Sequence, residues 1–292
     1  MKNDFNKGLV LTSLGSFWWG FIGVIYFESV SFIGHAELVV HRCLWTAIML
    51  FITTTFLSKW KIFFKEIKDN KKIIALFISG FLIFINWSIW IYAVATERII
   101  DASFGYFIMP IISVLLGYIF FREKLNKKRI FSIILVFISI IILIFFNLKS
   151  LPWVGLIVAF SWAFYNLVRK KIKIDTDIGL LIESLYILPF ALIAFYIIAK
   201  NGLNDFNSSN IGFSLFLILA GPMTVIPLFL YVRGVELIGL GPTGMIFYIT
   251  PTLQFILGYF YYNEDFSLVK FLSFIIIWIA VIIYLKDLYE TN

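Results

Sequence analysis

Residues 110–123, PIISVLLGYIFFRE, and residues 251–264, PTLQFILGYFYYNE, are one helical pattern written twice. At a shift of 141 positions Pro110 falls on Pro251, Gly117 on Gly258, Tyr118 on Tyr259 and Glu123 on Glu264. The flanks differ in charge. Lys124, Lys127, Lys128 and Arg129 follow Glu123, whereas Asp265 and then an apolar run follow Glu264. Two copies whose ends face opposite aqueous phases are the signature of an inverted repeat.

Composition sets the medium in which those copies fold. The 292 residues are 61% hydrophobic, 20% aromatic and 14% charged, against about 25% charged residues in an average soluble domain. Too little polar surface remains to cover a water-soluble globule, so an integral membrane protein is expected. The net charge of +7 resides in short loops between apolar runs, a placement that suits anionic lipid headgroups and not nucleic acid. A single cysteine, Cys43, excludes an intramolecular disulfide framework and a cysteine metal cluster. Lys2 and Lys7 precede the apolar run 8–27 as in a signal peptide, but no small-residue cleavage site follows, and a retained first helix is the expectation. The triplet Asn207-Ser208-Ser209 is read as a chance sequon.

Ten stretches are long and apolar enough to span a bilayer: 8–27, 36–57, 72–93, 102–121, 130–147, 151–168, 178–199, 211–232, 242–262 and 268–285. The fold expected is therefore all-α and membrane-integral, with ten transmembrane helices as two inverted five-helix repeats, 1–147 and 148–292. With the N-terminus inside, nineteen lysines and arginines fall in inner connections and four (Arg98, Lys149, Lys200, Lys270) in outer ones. That bias places both termini in the cytoplasm of an inner (plasma) membrane. Trp60, Trp153, Trp278 and Tyr284 sit near span ends, as interfacial anchors do.

The candidate site residues are the polar groups inside the spans. Glu37, His41 and Arg42 occupy the second span, where ionisable groups cost several kcal/mol unless they face a cavity or a partner. Arg42 is expected to face a substrate carboxylate or an internal acid. The alternatives are a structural pair or a snorkelling arginine. Glu183, in the seventh span, is placed where Glu37 lies in the first half, as a proton-coupling carboxylate or a partner for Arg42. Asn86, Trp87, Trp90 and Tyr92, with Tyr106, Trp162, Tyr165, Asn166, Tyr248 and Gln254, are expected to wall a midplane cavity with stacking faces and hydrogen-bonding tips. The alternative is ordinary aromatic packing. Pro110 and Pro251 should kink their spans for gating or packing, and Glu123 and Glu264 should act as helix caps or gates. The G-x-G-x-x-G at 239–244 joins apolar spans without a strand, so it is no dinucleotide site. No P-loop, H-E-x-x-H, G-x-S-x-G or cysteine pair occurs, so neither enzyme activity nor a resident metal or cofactor is expected. A sensor, an assembly partner or a membrane-embedded transferase would need extramembrane domains for which no room remains.

These residues resemble the EamA module of the drug/metabolite transporter superfamily and, more narrowly, the RarD proteins, named as chloramphenicol-sensitive permeases. The matching stretches are EL-x-x-HR at 37–42, NW at 86–87, AS-x-GYF-x-x-P at 102–110, LP-x-x-GL at 151–156, AF-x-x-AFYNLVRKKI at 159–172, LIES at 181–184, LP at 188–189 and YI-x-PTL at 248–253. The sequence departs from the pattern at Met109, where asparagine is expected before the proline. The resemblance implies ten helices, cytoplasmic termini and a central cavity between the halves. With no ATP-binding motif, and with aromatic walls plus Arg42 suited to a small amphipathic solute, the sequence is read as a secondary-active permease or exporter of small amphipathic metabolites or drugs, with protons a candidate coupling ion.

Overall fold

A computed structural model describes residues 2–30, 32–95, 99–147, 153–261 and 268–291, and all regular structure among them is helical. The chain begins with α1 (Lys2–Phe17), a π-helical turn (Trp18–Ile22) and α2 (Gly23–Ser29), followed by α3 (His35–Phe56) and the short α4 (Trp60–Glu66). Then come α5 (Asn70–Ala95), α6 (Ile99–Phe121), α7 (Lys127–Asn147), α8 (Trp153–Lys171) and α9 (Thr176–Lys200). The rest comprises α10 (Ile211–Ile218), α11 (Ala220–Ile238), α12 (Leu240–Ile246), α13 (Ile249–Phe260) and α14 (Leu268–Thr291).

Seven helical stretches among the described residues have the length and apolar character to cross a membrane: Asn3–Ser29, His35–Phe56, Asn70–Trp90, Lys127–Phe146, Thr176–Lys200, Ile211–Ile238 and Leu268–Thr291. Their outward faces carry exposed Phe77, Phe81, Ile134, Phe137, Ile193, Ile275 and Ile282, an apolar surface that only lipid solvates without cost. The other three expected spans fall on less regular helices. In α6 the apolar part is Gly105–Phe121, α8 ends in Arg169-Lys170-Lys171, and α12 and α13 are separate pieces.

Two of the expected spans are broken helices, and proline explains both. Pro222 and Pro251 have no N–H to return to the preceding turn. The chain accordingly breaks at Leu219 between α10 and α11, and at Phe247-Tyr248 between α12 and α13, where Thr250 N closes a tighter bond on the Phe247 carbonyl at 2.9 Å. Pro251 thus stands in the first turn of α13 and does not kink a continuous helix, contrary to the sequence expectation. Pro110, Pro189 and Pro227 do lie inside α6, α9 and α11.

The helices pack α1 on α11, α6 on α8, α5 on α8 and α9, α3 on α9 and α11, and α7 on α14. Close approach needs small residues, as in other membrane bundles. A Cβ on Gly105 of α6 would stand 2.6 Å from the Gly155 carbonyl of α8, and one on Gly20 would stand 2.9 Å from the Thr250 backbone. The main core gathers α3, α5, α8, α9 and α11 around Leu50, Ile83, Trp162, Leu181 and Val232. A second core joins α6, α7, α12 and α14 around Val114, Val136, Met245 and Ile277.

Candidate functional site

An aromatic cluster occupies the middle of the main core. Trp19, on the π-helical turn, lies 5.0 Å from Trp162 of α8 and 5.8 Å from Tyr231 of α11, measured between ring centroids. Phe247, at the break before α13, approaches Trp162 at 6.3 Å, Tyr231 at 5.5 Å and Tyr106 of α6 at 5.8 Å. Edge-on and tilted geometries at these distances are the favoured ones for rings. A π turn inserts one extra residue into a helix and is frequent at functional sites, and here it carries Trp18, Trp19 and Gly20.

Arg42 is buried nearby on α3 without an ionic partner among the described residues. Its guanidinium carbon stands 4.6 Å from the centre of the Phe27 ring and 4.7 Å from that of Trp87, and its Nε has no hydrogen-bond partner. The two rings supply cation–π attraction, which offsets only part of the cost of taking a charge out of water.

Glu37 and His41 serve the loop instead. Both Glu37 oxygens accept from Asp205 N at 2.9 Å, and Oε1 also accepts from Phe206 N at 3.0 Å. Trp45 Nε1 donates to His41 Nδ1 at 3.0 Å, which leaves His41 Nε2 to carry the proton toward Glu37 Oε1 at 3.3 Å. The pair therefore ties the loop before α10 to the first turns of α3.

Glu183 is partnered by Arg169, not Arg42. Arg169 is fully buried, its Nη1 lies 3.5 Å from Glu183 Oε1, and its Nη2 donates to the Thr176 carbonyl at 3.1 Å. Ser79 Oγ of α5 donates to Glu183 at 2.5 Å and Tyr165 OH of α8 at 3.3 Å, so two helices converge on one carboxylate of α9. Glu236 extends the network, lying 3.9 Å from Arg169 Nη2 and accepting from Thr176 Oγ1 at 2.8 Å. A void of about 20 Å³, room for one water, adjoins Glu183 and is lined by Cys43, Thr46 and Trp87. A Cβ on Gly179 would fall on the Arg169 guanidinium, so that glycine makes the room the arginine occupies.

The remaining expected site residues divide. Tyr106, Trp162 and Tyr165 join the cluster or its edge. Asn86 donates to the Val158 carbonyl at 2.9 Å and to Ser161 Oγ at 3.1 Å, which fastens α5 to α8. Asn166 is buried, bonded to the Trp162 carbonyl through Nδ2, with its Oδ1 unpartnered. Trp90 packs away from the cluster, against Ala93 and Val154. Tyr248 lies in the second core and donates to the Phe107 carbonyl at 2.8 Å, while Gln254 is half-buried on α13. Glu264 lies outside the described residues.

At the basic end of the bundle, side chains close the helix ends. Glu123 accepts from Leu240 N at 2.8 Å and Gly241 N at 2.9 Å, capping α12. Burial pushes its carboxyl above the ordinary range, and the two N–H groups pull it back. Gly239, at φ 93°, makes the left-handed turn between α11 and α12, against Glu123. Lys170 donates to the Val235 and Glu236 carbonyls at 2.8 and 3.0 Å, and Arg129 pairs with Asp287 at 2.9 Å. Glu123→Ala should cost about 1–2 kcal/mol, the usual loss of a helix cap. Glu123→Gln, which keeps one acceptor, should cost less. Thermal unfolding in detergent measures both.

Three participants were not among the expected site residues: Trp19, Tyr231 and Arg169. Trp162, Tyr165, Asn166 and Arg169 follow the i, i+3, i+4, i+7 spacing of one helix face, so periodicity assigns Arg169 to the interior although its neighbours Lys170 and Lys171 read as loop cations. Among the described residues no group of three or more His, Cys, Asp or Glu could hold a metal.

Comparison with known proteins agrees with this architecture. The EamA-like transporter family model matches twice, over residues 6–145 and 150–286. An uncharacterized transporter of Bacillus subtilis, YojE, is 34% identical over 95% of this chain and 93% of its own. The protein RarD of Escherichia coli is 32% identical over 98% of this chain and 96% of its own. A solved crystal structure superimposes with a TM-score of 0.72 over 97% of this chain and 98% of that one, at 10% identity, a likeness of fold alone. With apolar helices, a buried polar interior and both stretches matched, the chain is a multi-pass membrane protein that belongs to the EamA-like transporter family.

Proposed function

We propose that this protein is a secondary-active permease in which two inverted halves, residues 1–147 and 148–292, alternate access to a central site. What supports the halves is a constant interval. α3 and α9 begin at His35 and Thr176, and α5 and α10 at Asn70 and Ile211. Each pair is separated by the 141 residues that separate Pro110 from Pro251. Tyr248 and Phe107, also 141 apart, touch one another, as residues beside a two-fold axis do. α3 packs on α9 and α7 on α14, each helix on its own equivalent.

The observation that carries the site is Arg42, a buried guanidinium between two rings with no carboxylate beside it among the described residues. The cargo is a small amphipathic solute, its carboxylate on Arg42 and its apolar body against Trp19, Tyr106, Trp162 and Phe247. No nucleotide-binding motif supplies energy, so a gradient or exchange drives transport. Counterflow in proteoliposomes, with aromatic solutes matched in size with and without a carboxylate, tests this. Saturable transport confined to the carboxylates is expected, and no saturable transport of either set refutes it.

The orientation has its own test. Nineteen of the basic residues lie in connections assigned to the cytoplasm. Single cysteines at 59–72 and 122–129, in a Cys43→Ser background, should resist an impermeant thiol reagent in whole cells, whereas positions 98, 149 and 205 should label. The reverse pattern overturns the topology.

A further inference from the structure

The interval of 141 also relates charges. Arg42 is equivalent to Glu183, and Glu28 is equivalent to Arg169. The two halves therefore carry the same two positions with acid and base exchanged. In one half the pair is made: Arg169 Nη1 and Glu183 Oε1 are 3.5 Å apart, both fully or almost fully buried. In the other half it is not. Glu28 is exposed at the end of α2, and Arg42 lies against the ring of Phe27, the residue next to Glu28.

We propose that Glu28–Arg42 and Arg169–Glu183 are reciprocal gates, each made when the other is broken. The inference rests on the inverted-repeat reading above. Two halves related by a two-fold axis exchange their conformations when access alternates, so the contact that one half makes now is the contact the other half makes next. In the present state Arg169 closes the basic end through Glu183, Thr176 and Glu236, and Arg42 is free for an anionic solute. In the opposite state Glu28 reaches Arg42 and Arg169 leaves Glu183. Glu28 then competes with the solute carboxylate for the same guanidinium, which couples closure at its end to release of cargo. The charge inversion fits this exchange, because each buried member of a pair, Arg42 or Glu183, gains its partner from the residue 14 positions upstream in its own half.

The test reads conformation rather than transport. A reporter cysteine replaces Ile172, buried in the main core just beyond α8, in a Cys43→Ser background, and its maleimide labelling rate is followed in detergent. The joint variant Arg169→Gln with Glu183→Gln, which leaves no orphan charge, should raise labelling about tenfold as the basic end opens. Glu28→Gln should lower it several-fold, because the state that opens the basic end loses its ion pair. Glu28 is exposed, so that variant folds and decides the matter alone if the buried pair cannot be replaced. Labelling unchanged or raised in Glu28→Gln overturns the gate. Opposite shifts support it even where no solute is transported. Transport lost in Arg42→Ala with Glu28→Gln labelling unmoved overturns the gate and leaves the solute site standing.

Discussion

Arg42→Ala is expected to reduce transport at least ~100-fold while the protein remains abundant in the membrane. A hydrogen bond to a charged group is worth about 1.5–3 kcal/mol, and truncating one side of a buried charged contact costs about 2–5 kcal/mol, so loss of the cationic partner proposed for the solute carboxylate reaches that range. Abundance survives because in the present state no protein carboxylate among the described residues pairs with Arg42; its neighbours are the Phe27 and Trp87 rings. Arg42→Lys keeps a point charge but loses the planar fork that pairs two oxygens, and intermediate transport is expected. If Arg42→Ala and Arg42→Gln both transport at the parental rate, Arg42 is a packing cation and the solute binds elsewhere.

The largest stability effect belongs to Arg169. Removing one partner of a buried ion pair costs about 3–5 kcal/mol, because the other charge is left uncompensated. Arg169→Ala strips Glu183 of its cation, leaving Ser79 and Tyr165 as its hydrogen-bond donors. Gly179→Val should do comparable damage without touching either charge, since a side chain there displaces the guanidinium. Gly212→Ala is the matched control: only the Asn210 side chain lies within 4 Å, at 3.9 Å, and a change below about 0.5 kcal/mol is expected. Melting in detergent compares the three. A Gly179→Val protein as stable as the control would show that the Arg169 network contributes little to holding the bundle together.

Apolar runs carried the all-helical membrane architecture into view because they are a local pattern: a bilayer demands runs of fixed length. Partners across the bundle were not local, and there the sequence misled. Glu183 was aligned with Glu37 because both are acids near the start of a span, yet the constant interval sets it against Arg42, a residue of opposite charge. Glu37 read as a membrane-embedded carboxylate but sits where the loop at 205–206 folds back and offers its N–H groups. Tyr106 and Tyr248, each near its proline, were expected to meet in one cavity. The break at Phe247-Tyr248 puts Phe247 beside Tyr106 and carries Tyr248 to the second core. No spacing rule on a continuous helix foretells which of two adjacent rings turns inward at such a break.

The pairing of α3 with α9 and of α7 with α14 has a consequence for how the chain is made. Arg129 and Asp287 are separated by 158 residues, so at about 5–20 residues per second the ribosome needs roughly 8–30 s to supply the second after the first. During that interval α7 has no α14 to pack on and α3 no α9. The newborn first half waits in the bilayer with Arg42 in place and its self-matching surfaces bare. It is then open to chaperones, to proteases and to pairing with another nascent copy. Biogenesis of this protein includes a wait for partners made late, and for α7 the arrival of α14 ends it.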